Sequence, residues 1–482
     1  MDKNTLGRTG IATALLTSVL HAGLIKWTPA TGDTRTVTEP SIPPICQTLY
    51  ANLQSGNRAF SPDDEGNPPD TTRIAAALMA CRQQPNAPAV SVYLAPSGPN
   101  DAFLTGPLTI PDGVVLFIDS TVTVFSSNNP ANYQSSSTTR CGTSATNSNG
   151  CNPFITVTGS NAGIMSTRNG NTQGRIDGRG DINLFNQSIS WWDVSNQAYA
   201  SSIKQNNPRL IQARNANNFT LYDVDLVNAP LFHVYMEGGD GATLWGVRIK
   251  TPADTHNTDG IDPDSVSDVT INQCDIQDGD DGIAIKTNSG PASNITVENS
   301  NFYGTHGISI GSQTTYGVTN ILVQNNTING QDSSGTFSTD NNGLRIKTTS
   351  SSGGLVAQVT YTNTCMTNVK HILVFNPFYS TGDNSTIPNL ANITVNGLKA
   401  INSPSGNGST LEGYRSDYPL NLRLQHVMLD ATRSTAEYAN IGIFDSNLTA
   451  SGTDVTVTPL PATVVEESGS LPACSSFPQF PF

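Results

Sequence analysis

The chain has 482 residues, enough for a large core, and a formal net charge of −14. That charge argues against nucleic acid and anionic membrane surfaces as partners, although local cations can still attract an acidic ligand at close range. Charged residues make up only 13% while glycines number 42, and long helical tracts are scarce, so the composition reads as β structure with many turns.

In chain order, residues 1–25 have the outline of a secretion signal: Lys3 and Arg8 supply positive charge before a modest apolar run at 10–20. No later run approaches the ~20 apolar residues of a membrane span. Residues 26–45, rich in Pro and Thr, read as a linker. Residues 70–81 read as a short helix with Asp70 at its N-cap and helix-favouring alanines before Leu78. Such a helix is expected to plug the open apolar end of a stack of coils. Two strands are expected at 90–94 and 114–124, then a Ser/Thr/Asn-rich loop over 126–151. Of seven cysteines, Cys46 with Cys81 and Cys141 with Cys151 are candidate disulfide pairs. Connectivity stays open, the odd count leaves one thiol over, and no zinc-ligand spacing occurs. Cys274 is expected in the core. Trp191 and Trp192 have two readings, a platform for a sugar ring or packing of a loop against the coils.

Alternating tracts then begin at Phe219, Ala242, Val269, Ile295, Ile321, Val359 and Ile393. Asn or Asp often stands just before them (Asn218, Asp268, Asn294, Asn320, Asn392), as tight turns in the left-handed region favour. Repetition at this interval predicts a solenoid in which each coil buries its apolar side against its neighbours. Loops at 329–342 and around 380–390 are expected to wall a groove. The organisation expected is one solenoid over 46–460 and a Pro-rich tail over 461–482, with no second domain.

Within the solenoid one pattern recurs four times: a polar residue, Gly, an aliphatic residue, any residue, Ile or Pro. The copies begin at Asp259, Asp281, His306 and Asn342, and their glycines stand 22, 25 and 36 residues apart. Stacking makes these four residues a column, with Asp280 beside it. Alternation sends Ile283, Ile285, Ile308, Ile310, Leu344 and Ile346 inward. Lys286, Ser309, Arg345 and Lys347 then point outward on the face that carries the acids. Paired carboxylates suit glycosidic cleavage, one protonating the leaving oxygen and another activating water. Like charges in company raise at least one pKa, which keeps an acid protonated. Asp-Gly and Asp-Asp also occur in plain turns and calcium loops, and His306 alone would be an ordinary loop histidine. The register of three acids with His306, and of Arg345 with Lys347, favours a site that grips an anionic sugar, Arg by paired hydrogen bonds and Lys as a point charge.

Asn257-Thr258-Asp259, Gly279-Asp280-Asp281, Gly304-Thr305-His306-Gly307 and Arg345-Ile346-Lys347 resemble, in order and spacing, the four signature motifs of the polygalacturonases, glycoside hydrolase family 28. The resemblance extends from about Cys46 to about Ala450. It implies an all-β fold, a right-handed parallel β-helix with a short N-terminal capping helix, and hydrolysis of α-1,4-galacturonan with inversion. Carried over by position, Asp280 would be the general acid, Asp259 and Asp281 would activate water, and His306 would support the acid or the sugar. Asn257, Arg345, Lys347 and, in Phe375-Asn376-Pro377-Phe378-Tyr379, Tyr379 would bind substrate. No metal or cofactor is implied, and the expected partner is polygalacturonate, met by a secreted or periplasmic monomer without nucleic acid or membrane. Gly282 departs from the pattern, standing where many members have cysteine, and Thr305 is an extra residue within Gly-His-Gly. The competing readings are a rhamnogalacturonan hydrolase of the same family, a calcium-dependent pectate lyase, and a β-helix that binds carbohydrate without cleaving it. The intact motif set disfavours the first and the last, while calcium dependence and unsaturated products would mark the lyase.

Overall fold

The structure, a computed structural model, describes residues 27–84, 87–382, 386–404, 408–464 and 470–482. The secretion signal expected within 1–25 lies outside the described residues. Three rows of strands stack along one axis. The row that carries the motifs has twelve strands, from Leu108–Ile110 to Thr449–Ser451, every neighbouring pair parallel. In a second row Phe219, Ala242, Val269, Ile295, Ile321, Val359 and Ile393 stand in one column. A third row aligns Ile176, Leu226, Ile249, Ile276, Phe302 and Ile328. Strand Leu355–Thr367 is long enough, at 13 residues, to belong to both of the latter rows. Coiling sheets that each pair in parallel with the next turn make a β-helix. Its inward columns form one continuous apolar core.

Polar residues set the corners. Asn218, Asp268, Asn294, Asn320 and Asn392 all have positive φ, between 52° and 59°, the conformation expected from their place before each tract. A second corner was not read from the sequence. There Asn299, Asn325 and Asn363 also take positive φ, and their amides bond from coil to coil, Asn299 to Asn272, Asn325 to Asn299 and Asn363 to Asn325, at 3.0–3.4 Å.

At the N-terminal end lie α1 (Pro62–Gly66) and α2 (Thr71–Ala80). Ile74, Ala77 and Leu78 of α2 enter the core beside Val92 and Leu94, so the helix closes the apolar end. Asp70 stands at the N-cap position, but its side chain does not cap the helix. It accepts from the Leu104 amide at 2.7 Å and pairs with Arg73. The strand expected at 114–124 divides into Val114–Ile118 and Thr123–Ser126, because Val122 closes a turn onto the Asp119 carbonyl. Trp191 and Trp192 open a helix, α3 (Trp191–Ala200), rather than a loop, its start fixed by a capping box between Ser190 and Asp193. Trp191 is fully buried, edge-on to Tyr133, and Trp192 donates to the Ala229 carbonyl, so packing accounts for both rings.

Cys46–Cys81 and Cys141–Cys151 form disulfides, and Cys274 is a buried free thiol. A third bridge, Cys365–Cys474, ties the tail to the coils. The tail continues from there along the third row: Lys399 holds the Ala473 carbonyl, Phe480 meets Tyr303 edge-on, and Phe482 lies under Arg175 and Arg248.

The expectation of a linker at 26–45 is corrected. Residues 27–44 form a strap along the second row, running against the order of the coils. Its partners in sequence are Thr394 for Trp27, Thr360 for Ala30, Asn320 for Thr31, Thr296 for Asp33, Asp268 for Thr34 and the Ala242 carbonyl for Arg35. Thr and Asn side chains that face outward from the sheet supply the hydrogen bonds, so the strap needs no apolar periodicity of its own.

Candidate active site

Strands Ile261–Asp264, Ile283–Ile285, Ile308–Ile310 and Asn342–Thr349 bring the four motifs together. Ile261, Ile283, Ile308 and Leu344 are in register and buried, as are Ile285, Ile310 and Ile346. That alternation leaves the residues between them, and the polar residue before each glycine, on the outer face. Thr258 explains its own place in Asn-Thr-Asp: its hydroxyl donates to the Thr255 carbonyl and accepts from the Gly279 amide, both at 3.0 Å. Gly279 passes so close to Thr255 that a Cβ would sit 2.1 Å from its carbonyl oxygen. Behind this loop, fully buried His233 donates through Nδ1 to the carbonyls of Thr258 and Asp259 at 3.1 and 3.2 Å. Burial pushes its pKa down to about 4, so it is a neutral backbone support.

Asp280 is the partly exposed acid at the centre. Its Oδ2 accepts from the Asn257 amide at 3.0 Å, and its Oδ1 faces His306 Nδ1 at 3.2 Å. Gln205 in turn orients Asn257 at 2.8 Å, and Thr339 Oγ1 lies 3.2 Å from His306 Nε2. Asp281 is buried, and both of its oxygens are engaged, by Ser309 at 2.7 Å and Lys347 at 2.6 Å. Asp259 shares Lys286 with Asp262, at 3.3 and 2.6 Å, and Asp259 Oδ1 has no hydrogen-bond partner among the described residues. Arg345 pairs with Asp340 at 2.8 Å and its Nη1 lies 3.6 Å from Asp281 Oδ1, while its Nε finds no acceptor among the described residues. Tyr379, 49% exposed, lies beneath both cations, 5.2 Å from the Arg345 guanidinium and 4.9 Å from Lys347 Nζ. All eight candidate residues therefore lie around one cleft.

The acids do not share protons as like-charge repulsion alone suggests. Burial works to raise Asp280, but the His306 hydrogen bond and charge outweigh it and hold the carboxyl below its usual range. His306 is raised in return: burial opposes its charge, and Asp280 more than compensates. The carboxyl pushed upward is Asp259, by burial first and then by Asp262 and Asp280. Asp262 itself rises to about 6, chiefly through burial, with Lys286 opposing.

Asp262, Asp340 and Gln205 were not among the candidates from sequence. Asp262 had a signal: alternation from inward Ile261 puts it on the outer face next to Lys286. Asp340 sits in a turn and Gln205 in a two-residue strand, Lys204–Gln205, too short to show a period. Gly282, which stands where cysteine is common, follows from its neighbour, since a Cβ there would meet Phe302 Cδ1 at 2.7 Å. Extra Thr305 is buried and accepts the Gly307 amide at 3.1 Å. Asp280, Asp281 and His306 offer donors within 4.8 Å of one another, a spacing that suits a cation. Both Asp281 oxygens already accept hydrogen bonds, so a cation there has to compete with Lys347.

The sequence profile of glycosyl hydrolases family 28 matches residues 106–449. The chain belongs to this family. Among its relatives, a polygalacturonase of Ralstonia solanacearum is 35% identical over 94% of each chain. An endo-polygalacturonase of Pectobacterium carotovorum subsp. carotovorum is 36% identical over 87% of this chain and 95% of its own. The solved polygalacturonase of Erwinia carotovora ssp. carotovora superposes with a TM-score of 0.72 at 35% identity, covering 88% of this chain and 99% of that one. This family 28 chain thus has the right-handed parallel β-helix that the motifs implied.

Proposed function

We propose that the chain is a polygalacturonase, hydrolysing α-1,4-linked galacturonic acid in pectin with inversion. The observation that carries this reading is the pairing, across one cleft, of the Asp280–His306 couple with Arg345 and Lys347 above Tyr379. Family membership and two polygalacturonase relatives at 35–36% identity support it. In this mechanism the proton held between His306 Nδ1 and Asp280 Oδ1 is the one the leaving oxygen needs. Asp280 delivers it as the bond from C1 to that oxygen breaks. A water deprotonated by a carboxylate attacks C1 from the opposite face. Asp259 suits that role better than Asp281, because it keeps a free oxygen while both Asp281 oxygens are bonded. Asp281 holds Lys347 in place and lies 3.6 Å from Arg345 Nη1, and Arg345, whose Nε has no acceptor, receives the galacturonate carboxylate. Asn257 orients the acid and contacts the sugar, and Tyr379 carries the sugar face.

The β-helix over 46–460 acts as one catalytic unit and as a monomer, with no cofactor and with neither nucleic acid nor membrane as a partner. No helix among the described residues is long and apolar enough to cross a membrane. Three disulfides favour an oxidising compartment, secreted or periplasmic. The test is a digest of de-esterified polygalacturonate with chelator present, following reducing ends and ultraviolet absorbance. Reducing ends without absorbance are expected. Absorbance that appears only with calcium would mark a lyase and overturn the proposal.

A further inference from the structure

The second row carries a stripe of large apolar side chains on its outer face. Tyr93, Phe117, Met165, Tyr222 and Trp245 stand in register on five neighbouring strands, while Val92, Leu116, Ile164, Leu221 and Leu244 beside them point into the core. Most of the stripe is already engaged. Tyr93 and Phe117 stack on each other at 4.4 Å, Phe117 and Met165 are buried, and Tyr222 donates to Glu39 of the strap at 2.8 Å. Trp245 differs: it is half-buried, stacks on no other ring and makes no side-chain hydrogen bond among the described residues. It lines an open pocket of about 510 Å³ together with Tyr222, Glu39, Arg168, Asp223 and Gln273. The Gln273 side chain is exposed and equally unbonded among the described residues. Gln273 lies between the second-row strand Ser267–Asn272 and the third-row strand Asp275–Gln277, so the pocket opens at the corner opposite the motif row.

We propose that this pocket is a second carbohydrate site, one that binds a neutral hexose chain and does not cleave it. An indole with an uncovered ring and a free N–H suits a sugar, whose C–H face packs on the ring while its hydroxyls meet polar groups. The Gln273 amide offers both a donor and an acceptor for those hydroxyls. Charge decides which sugar. Glu39 and Asp223 line the pocket, and Arg168, the one cation among its described lining residues, is held by Asp223 at 2.7 Å. A uronate there would meet net negative charge, whereas a neutral sugar would not. The catalytic acids stand on another side of the coils, so a glycan held here leaves the cleft open. The site stands independently of the reaction at that cleft.

The experiment is affinity electrophoresis of the full chain through gels that contain soluble β-1,4-glucan, soluble β-1,4-galactan or no polymer. Trp245→Ala and Gln273→Ala are run beside it, each checked for folding by thermal unfolding. Retardation by at least one neutral polymer is expected, and the polymer that responds names the hexose. Affinity should fall about tenfold in Trp245→Ala and about threefold in Gln273→Ala, while kcat/KM on galacturonate oligomers stays unchanged in both. Gln273 is exposed, so its variant decides the matter if Trp245→Ala does not fold. Retardation by neither polymer, or unchanged affinity in the deciding variant, refutes the site. Displacement of the neutral polymer by galacturonate oligomers would place its binding in the cleft and refute it too. A chain that is retarded as expected but cleaves no galacturonan refutes the hydrolase reading alone.

Discussion

Replacing Asp262 by Asn separates the electrostatics of the cleft from its shape. Lys286 Nζ stands 3.3 Å from Asp259 and 2.6 Å from Asp262, so the two carboxylates lie no more than about 6 Å apart. At an effective dielectric of about 20, two like charges at that distance repel by about 3 kcal/mol, or about 2 pH units in the titration of one by the other. Asn keeps an oxygen for Lys286 but removes the charge, and Lys286 then neutralises Asp259 alone. Both changes favour ionised Asp259. If Asp259 is the base, activity is gained as pH rises through its titration, so the acidic limb of kcat/KM should move to lower pH by about 2 units. The alkaline limb, set by loss of the proton shared by His306 and Asp280, should stay in place. The assay is initial-rate reducing-end release from polygalacturonate across the pH range, well below the unfolding temperature, since a disturbed buried pair also lowers stability. An acidic limb that stays put or moves upward would refute the role of Asp259 and its coupling to Asp262.

Three other outcomes are expected. Asp280→Asn should lower kcat about 10²- to 10⁴-fold with little change in thermal unfolding, and near-normal turnover would remove Asp280 from the acid role. Gly282→Cys should cost about 1–3 kcal/mol in chemical denaturation, because its Cβ would stand 2.7 Å from the fully buried Phe302 ring; adding Phe302→Leu should recover most of that loss. Cys365→Ser with Cys474→Ser opens a cross-link between residues 109 apart. Stability should drop by about 2–5 kcal/mol, while kcat/KM at low temperature stays close to that of the unmodified chain.

The motif column was legible because its glycines mark register and its isoleucines mark direction, so the sequence alone stacks Asp259, Asp281, His306 and Asn342. Asp262 is less conspicuous because it does not lead a motif, although the same alternation places it beside Lys286. The third row of strands escaped notice for a physical reason: segments such as Asp225–Val227 and Arg248–Lys250 have three residues each, too few to show a period. The strap at 27–44 and the tail beyond Cys474 bond to partners hundreds of residues or many coils away, and nothing local in their composition records those partners. The proton distribution was also out of reach, since it depends on a 3.2 Å contact between His306 and Asp280 that spacing cannot specify.

The strap has a consequence for the order of assembly. Residues 27–35 leave the ribosome early, yet their docking surface runs from Ala242 to Thr394 and is complete only once most of the coils have formed. Coils can grow one on the next, each needing only its predecessor, whereas the strap has to wait undocked for the far end of the stack. Its closure is thus a late event that reports on all the coils at once. A coil that misregisters in the middle displaces its Asn or Thr from the line, and a segment made before the coils becomes a check on those made last.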